Sequence, residues 1–318
     1  MVTASTKMPQ WCIEARSAAI ASSMQYTVMR METTPATSGD PRAIVLPQCP
    51  LCHGGQFREY VNHPELQWVI CDCGLIYKRA QLASISMDTI YQESYFTGGV
   101  YDTRLPRRIQ KSRHQLLDVL NHVEPGPALD IGCSLGYVLQ AARQLGLEST
   151  GADVSEFAAQ ACREQGFDAR QGTMGALPFE DGRFAIVTMK HVLEHTPDPR
   201  GALRDVRRVL RPHGGLFIAV PDSRYGRAAR NPHQSRFYLP SAKGIQHFIY
   251  YTPATLARLL EEEGFRVTRV NPHIVHRYAS VGVRALQTLT APLRIAAQAM
   301  LDGLKVRKEF WLTAVRTD

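Results

Sequence analysis

The chain has no uninterrupted apolar run approaching eighteen residues, so no membrane-spanning helix is expected. Its start lacks a basic segment followed by a continuous apolar core, because WCIEARSAAIASSM is broken by charge and serine. A secretory leader is therefore not expected, and the cytoplasm is the expected compartment. Acidic residues are the minority, 29 against 37 Lys and Arg, which leaves a net charge of +8. That excess favours an anionic partner: a phosphorylated or nucleotide-linked small molecule, nucleic acid, or an anionic membrane surface. Cysteines are few and odd in number, seven with four of them clustered. Such usage argues against a disulfide framework and for a metal knuckle in a reducing compartment.

What is present centres on residues 128–153, ALDIGCSLGYVLQAARQLGLESTGAD. An apolar strand ends in Asp130, a turn runs through Gly132, Ser134 and Gly136, and an amphipathic helix follows to Gly146. A second strand ends in Asp153. This strand–turn–helix–strand–acid layout presents a nucleoside-bearing cofactor to the carboxyl ends of an α/β sheet. Small turn residues let the backbone approach the ligand, the helix start offers free N–H groups to an anion, and Asp153 is placed to accept from a ribose. The dinucleotide fingerprint is missing, since position 134 is Ser and position 137 is Tyr, and no GK[ST] follows for a phosphate loop. An acid-x-Gly-x-Ser-x-Gly turn remains, suited to a ligand with an amino-acid end and a ribose end.

This segment resembles the first motif and the acidic second-strand end of class I S-adenosylmethionine-dependent methyltransferases. LPFEDGRFAIVTMKHVLEH at 177–195 and RRVLRPHGGLFIAVPD at 207–222 are similar to their later motifs, and the resemblance spans residues 115–271. It implies a Rossmann-like seven-stranded methyltransferase sheet with helices on both faces, and S-adenosylmethionine as cofactor. In the family an Asp commonly follows the third strand's glycine and meets the adenine amino group; here Thr173 stands there, with the Met174 backbone beside it. Lys190 at the fourth strand's end completes the candidate cofactor set of Asp130, Gly132, Ser134, Gly136, Asp153, Thr173, Met174 and Lys190.

Residues 1–43 show no sustained periodicity and read as a disordered extension. Cys49-Pro-Leu-Cys52, eighteen residues, and Cys71-Asp-Cys73-Gly74 bracket a hairpin-like segment in the manner of a zinc ribbon, so residues 44–80 are expected to form a small β unit around a structural Zn²⁺ held by Cys49, Cys52, Cys71 and Cys73. The second pair is one residue tighter than C-x-x-C. Many methyltransferases of this family, including sugar C-methyltransferases, carry a similar ribbon followed by a tyrosine-rich stretch, which YQESYFTGGVYD at 91–102 resembles. The methyltransferase domain is expected over 81–318, with a basic amphipathic helix at 104–123, an aromatic and basic lid at 223–251, and a helical insert at 276–307 that can pair two subunits or rest on a membrane surface. EFWLTAVRT is expected to close the sheet as its last, antiparallel strand.

Methyl transfer is an in-line displacement, so a base is needed only where the acceptor holds its proton. His195 is the first candidate, with Glu194 or His191 as orienter, and Tyr95 and His247 can reach the same cleft. Three classes compete: a small-molecule acceptor such as a sugar, glycolipid or secondary metabolite, an RNA methyltransferase, and a non-catalytic S-adenosylmethionine-binding protein. The first fits the ribbon, the aromatic lid and the charge. KHVLEH is not the Asn/Asp-Pro-Pro-aromatic signature of exocyclic-amine enzymes, and no Pro-Cys nucleophile exists for cytosine C5.

Overall fold

The computed structural model describes residues 42–82, 96, 105–223, 247–272 and 309–318. The N-terminal extension, Tyr95, residues 224–246 of the expected lid, and the 276–307 stretch with its dimer or membrane contact lie outside the described residues. None of the described helices is long and apolar enough to cross a membrane.

The larger sheet has seven strands in the order β11-β12-β9-β8-β5-β6-β7. They are β5 (Ala128–Ile131), β6 (Ser149–Asp153), β7 (Asp168–Gln171), β8 (Phe184–Lys190), β9 (Leu210–Pro221), β11 (Phe265–Pro272) and β12 (Glu309–Arg316). Strands β5 to β9 run parallel, whereas β12 pairs antiparallel with both β9 and β11. Chain order reverses direction at β5 and β8, the switch point at which an open α/β sheet leaves a crevice beyond its carboxyl ends.

Alternation along β9 divides the core. Leu216, Ile218 and Val220 join one buried cluster, and Phe217 and Ala219 join another on the opposite face. The second face is covered by α1 (Leu105–Leu120) and α2 (Tyr137–Gln144), through Leu116, Val119, Val138 and Ala141. The first is covered by α4 (Pro199–Val209) and α5 (Pro253–Glu262), through Leu203, Val206, Leu256 and Leu259. α3 (Glu156–Glu164) packs Ala159 and Cys162 against Cys133 and Leu139. Ends are set locally. Asp198 caps α4 by accepting from Gly201 N at 2.9 Å, and Thr252 and Thr255 form a reciprocal capping box at α5. Ser155 stands at the N-cap of α3 without a side-chain capping bond; the Asp153 carboxylate takes its N–H instead.

The smaller sheet contains β1 (Arg42–Ile44), β2 (Phe57–His63), β3 (Leu66–Cys71) and β4 (Ile76–Leu82) in the order β1-β4-β3-β2. A fifth strand, β10 (Ile249–Tyr250), falls within the 223–251 stretch expected as a lid; it is buried and pairs antiparallel with Tyr77 and Ile76 of β4. Leu46, Leu51, Val69 and Tyr77 share one buried cluster with Leu193, Phe248 and Leu256, so the small sheet and one face of the large sheet have a common core. Arg200 at the start of α4 reinforces the junction, donating to the Pro50 and Leu51 carbonyls and to the carboxylates of Glu262 and Glu263.

Candidate active site

The β5–α2 turn is built on positive φ angles: Gly132 at 73°, Ser134 at 49° and Gly136 at 80°. Gly132 is required twice, because a Cβ there would also stand 2.4 Å from Val192 Cγ2 at the end of β8. No side chain caps α2, so the first N–H groups after Gly136 stay available to an anion. Asp153, buried at the end of β6, accepts from Ser134 N and Ser155 N, both at 2.9 Å, one on each oxygen. Each oxygen retains a lone pair for a further donor. Burial raises its pKa, against those bonds.

Asp130 lies beneath the turn, fully enclosed, accepting from Thr188 Oγ1 at 2.5 Å. Burial pushes its pKa up to about 7, opposed by Thr188 and by the charge of Lys190. Lys190 is lowered to about 8 by burial, and its Nζ donates to Ser112 Oγ of α1 at 3.0 Å. Met174 is half-buried against the core and Thr173 is exposed, just after Gly172, whose N–H reaches the Asp153 carbonyl at 2.9 Å. Acid, open helix start and glycine turn therefore stand together at the carboxyl ends of the parallel strands.

Beyond β8 the chain turns sharply. His191 has a φ of 57°, held by its N–H to the Ala219 carbonyl at 2.9 Å, and a 3₁₀ turn, Leu193–His195, follows. Such a backbone in a non-glycine residue costs about 1–3 kcal/mol and needs its surroundings to hold it. Glu194 is completely buried, and neither carboxylate oxygen has a hydrogen-bond partner among the described residues. Its companions are histidines: His191 Nδ1 at 3.4 Å and His195 Nε2 at 3.9 Å, ion-pair contacts. Burial disfavours the carboxylate, and the contact with His191, followed by the charge of its histidine neighbours at 191 and 195, outweighs it, holding the pKa below its ordinary value.

The histidines differ in character. His191 also meets Glu309 Oε2 through Nε2 at 2.7 Å, and Glu309 Oε1 takes Lys111 Nζ at 2.5 Å. Crowding opposes charge on His191, but its two carboxylates prevail and raise its pKa to about 9, so it is a cation at neutral pH. His247 is lowered to about 3, by burial first and then by the His195 charge, and its Nδ1 lies 3.1 Å from Tyr250 Oη. The His195 and His247 rings are 4.7 Å apart, edge to face.

The structure thus brings His191, Glu194, His195 and His247 together; Tyr95 is outside the described residues. Sequence reasoning missed Glu309, Lys111, Ser112 and Tyr250. A signal existed for Glu309: it pairs with Pro221, and an antiparallel strand beside β9 must begin where the parallel strands end. Lys111, Ser112 and Tyr250 carry no local mark.

At the outer end of the small sheet the four cysteines converge, with all four sulfur atoms within 4.8 Å of one another. Cys49 and Cys73 sulfurs are 3.6 Å apart, and Cys52 and Cys71 sulfurs 3.4 Å. A tetrahedron with Zn–S bonds of about 2.3 Å has edges of about 3.8 Å, so the donor set fits such an ion. Gly74, with φ 90°, makes the tight turn after the C-x-C pair.

A family profile described as a methyltransferase domain matches residues 101–270. The chain belongs to this methyltransferase family. S-adenosylmethionine is accordingly its methyl donor, and the glycine turn, uncapped helix and Asp153 suit it. The ubiquinone biosynthesis O-methyltransferase of Bordetella avium is 28% identical over 51% of this chain and 73% of its own length. That of Pseudomonas aeruginosa is 33% identical over 39% of this chain and 53% of its own length. Similar solved structures include an S-adenosylmethionine-dependent methyltransferase from Mesorhizobium loti, with a TM-score of 0.47 and 18% identity over 63% of this chain and 95% of that one. Another, from Archaeoglobus fulgidus, has a TM-score of 0.47 and 20% identity over 65% and 94%.

Proposed function

We propose that this methyltransferase methylates a hydroxyl of a small-molecule acceptor, of sugar, glycolipid or secondary-metabolite type, with His195 as general base and Glu194 as its orienter. The observation that carries the reading is the position of His195 against the buried Glu194 carboxylate, beyond the same strand ends as the glycine turn. In this reading His191 is held between Glu194 and Glu309, and His195, with Nε2 3.9 Å from the Glu194 carboxylate, is the histidine whose imidazolium that carboxylate would stabilise on proton uptake. The activity for which the relatives are named, O-methyl transfer in ubiquinone biosynthesis, supports a hydroxyl acceptor.

When bound, S-adenosylmethionine supplies an electrophilic methyl group on a sulfonium. The N–H groups after Gly136 would hold its carboxylate end, Asp153 would accept from its ribose, and Thr173 and Met174 would lie toward its adenine. Asp130 and Lys190 brace the turn from below. His195 Nε2 faces Glu194, so Nδ1 takes the acceptor's proton as the hydroxyl oxygen attacks, and Glu194 steadies the imidazolium that results. Cys49, Cys52, Cys71 and Cys73 would hold a structural zinc ion, which would fix the end of the small sheet.

The test is methyl transfer from labelled S-adenosylmethionine into cell extract separated into RNA, lipid and small-molecule fractions. Label is expected in the small-molecule or lipid fraction; label confined to RNA would overturn the acceptor class. His195→Ala is expected to lower turnover by roughly 10²–10⁴-fold while leaving cofactor binding unchanged. Unaltered turnover would remove His195 from the role.

A further inference from the structure

On the α1 side of the large sheet, a cleft of about 540 Å³ opens between the helix and the last two strands. The helix contributes Arg107, Lys111, His114, Gln115 and Asp118, at spacings that put them on one face, and the strands contribute Arg269 and Trp311. This polar stripe is separate from the apolar one, Leu116 and Val119, that packs on the sheet.

The floor of the cleft holds acceptors without donors. Gln115 is 6% exposed, and its Oε1 has no partner among the described residues. Asp118 is 8% exposed; Oδ1 takes Arg269, and Oδ2 has no hydrogen-bond partner among the described residues. Buried acceptors of this kind call for a donor. Around them stand cations: Lys111 is tethered by Glu309 and Arg269 by Asp118, while Arg107 and His114 have no ion-pair partner among the described residues. Two hydroxyl-seeking acceptors beside an indole and a cationic rim match a ligand that is polyol on one side and anionic on the other.

We propose that this cleft binds a phosphorylated sugar, its phosphate on Arg107 and His114 and its ring hydroxyls donating to Gln115 Oε1 and Asp118 Oδ2. The Lys111–Glu309–His191 chain of ion pairs connects the cleft to the active-site edge, so the site anchors the acceptor; that purpose rests on the small-molecule reading above. The same chemistry is presented by a soluble nucleotide-linked sugar and by a phosphoglycolipid headgroup.

Isothermal titration of the full chain with glucose 1-phosphate, uridine diphosphate glucose and glucose tests the assignment. Vesicles of phosphatidylcholine with and without phosphatidylinositol form the lipid arm. A phosphosugar is expected to bind at least about tenfold more tightly than glucose, and Arg107→Glu and Gln115→Leu are each expected to weaken it by about tenfold or more, with S-adenosylmethionine binding and circular dichroism unchanged. Tighter binding of the nucleotide sugar identifies a soluble source, and phosphatidylinositol-dependent vesicle binding lost in Arg107→Glu identifies a headgroup. His195→Ala should retain the binding. No binding of any phosphosugar to the wild type, or binding that both variants preserve, would overturn the site. Binding without methylation of the bound sugar would leave the site standing and remove its role as acceptor anchor.

Discussion

The two sheets of this protein are stabilised in different ways. The seven-stranded sheet has helices on both faces, and successive residues of β9 alternate between two buried clusters. The five-stranded sheet has one side in the same core, a four-cysteine cluster at one end and a strand supplied by residues 249–250. A sheet that buries two faces stands on its apolar area; a smaller one needs staples. The candidate site divides in the same way: the glycine turn belongs wholly to the large sheet, whereas His247, in contact with Tyr250 of β10, meets His195 where the two sheets join.

The largest expected effect comes from removing the proposed zinc. Cys49→Ser with Cys52→Ser should abolish a one-to-one zinc content measured by atomic emission and remove a large share of the binding free energy, which is about 10 kcal/mol or more in isolated zinc modules. Calorimetry should then show a separate low-temperature transition or lost folding; an unaltered melting curve in a metal-free variant would mean that the thiols alone suffice.

Next is the junction. Arg200 is 13% exposed at its side chain and is the link between two backbone carbonyls of the cysteine knuckle and the α5 carboxylates. Arg200→Ala should cost about 3 kcal/mol in urea unfolding, since buried Glu263 loses one of its two arginine partners. A change below about 0.5 kcal/mol would show that the sheets cohere by the shared core alone.

In the large sheet, Gly132→Ala is expected to cost about 1–3 kcal/mol and to weaken S-adenosylmethionine binding, because the positive φ and the approach of Val192 both exclude a Cβ. Cofactor affinity equal to wild type would show that the turn yields.

The smallest effect is pH-dependent. His191 has a folded pKa raised to about 9 from an ordinary 6.5, so its contribution is fully present below about 6.5 and fades as pH rises through 9. The melting-temperature gap between wild type and His191→Gln should therefore be widest near pH 6 and close by about pH 10. A gap constant across that range would assign the residue a purely steric part.

Legibility in the sequence follows the same division. Strands β5 to β9 and their helices could be read because apolar periodicity, Gly132, Gly136 and the terminal acids are local signals. So could the cysteine cluster, despite its tightened second pair, because thiol spacing is local too. Residues whose role depends on distant pairing were beyond reach: Lys111 and Glu309 are 198 positions apart, and the β4–β10 register joins Tyr77 to Ile249. His195 was named from its place after a buried strand, yet the difference between His191 as a fixed cation and His247 as a neutral ring emerges only from which carboxylates and aromatic groups surround each.

The β4–β10 pairing bears on how such enzymes can diverge. The family match begins at residue 101, and therefore takes in β10 while leaving out the sheet that receives it. A chain trimmed to that boundary would present Ile249 and Tyr250 as an unpaired edge and open one wall of the histidine cluster to water. Loss of that pairing is expected to disturb the surroundings of His195 and His247 while leaving the Gly132–Gly136 turn and Asp153 in place.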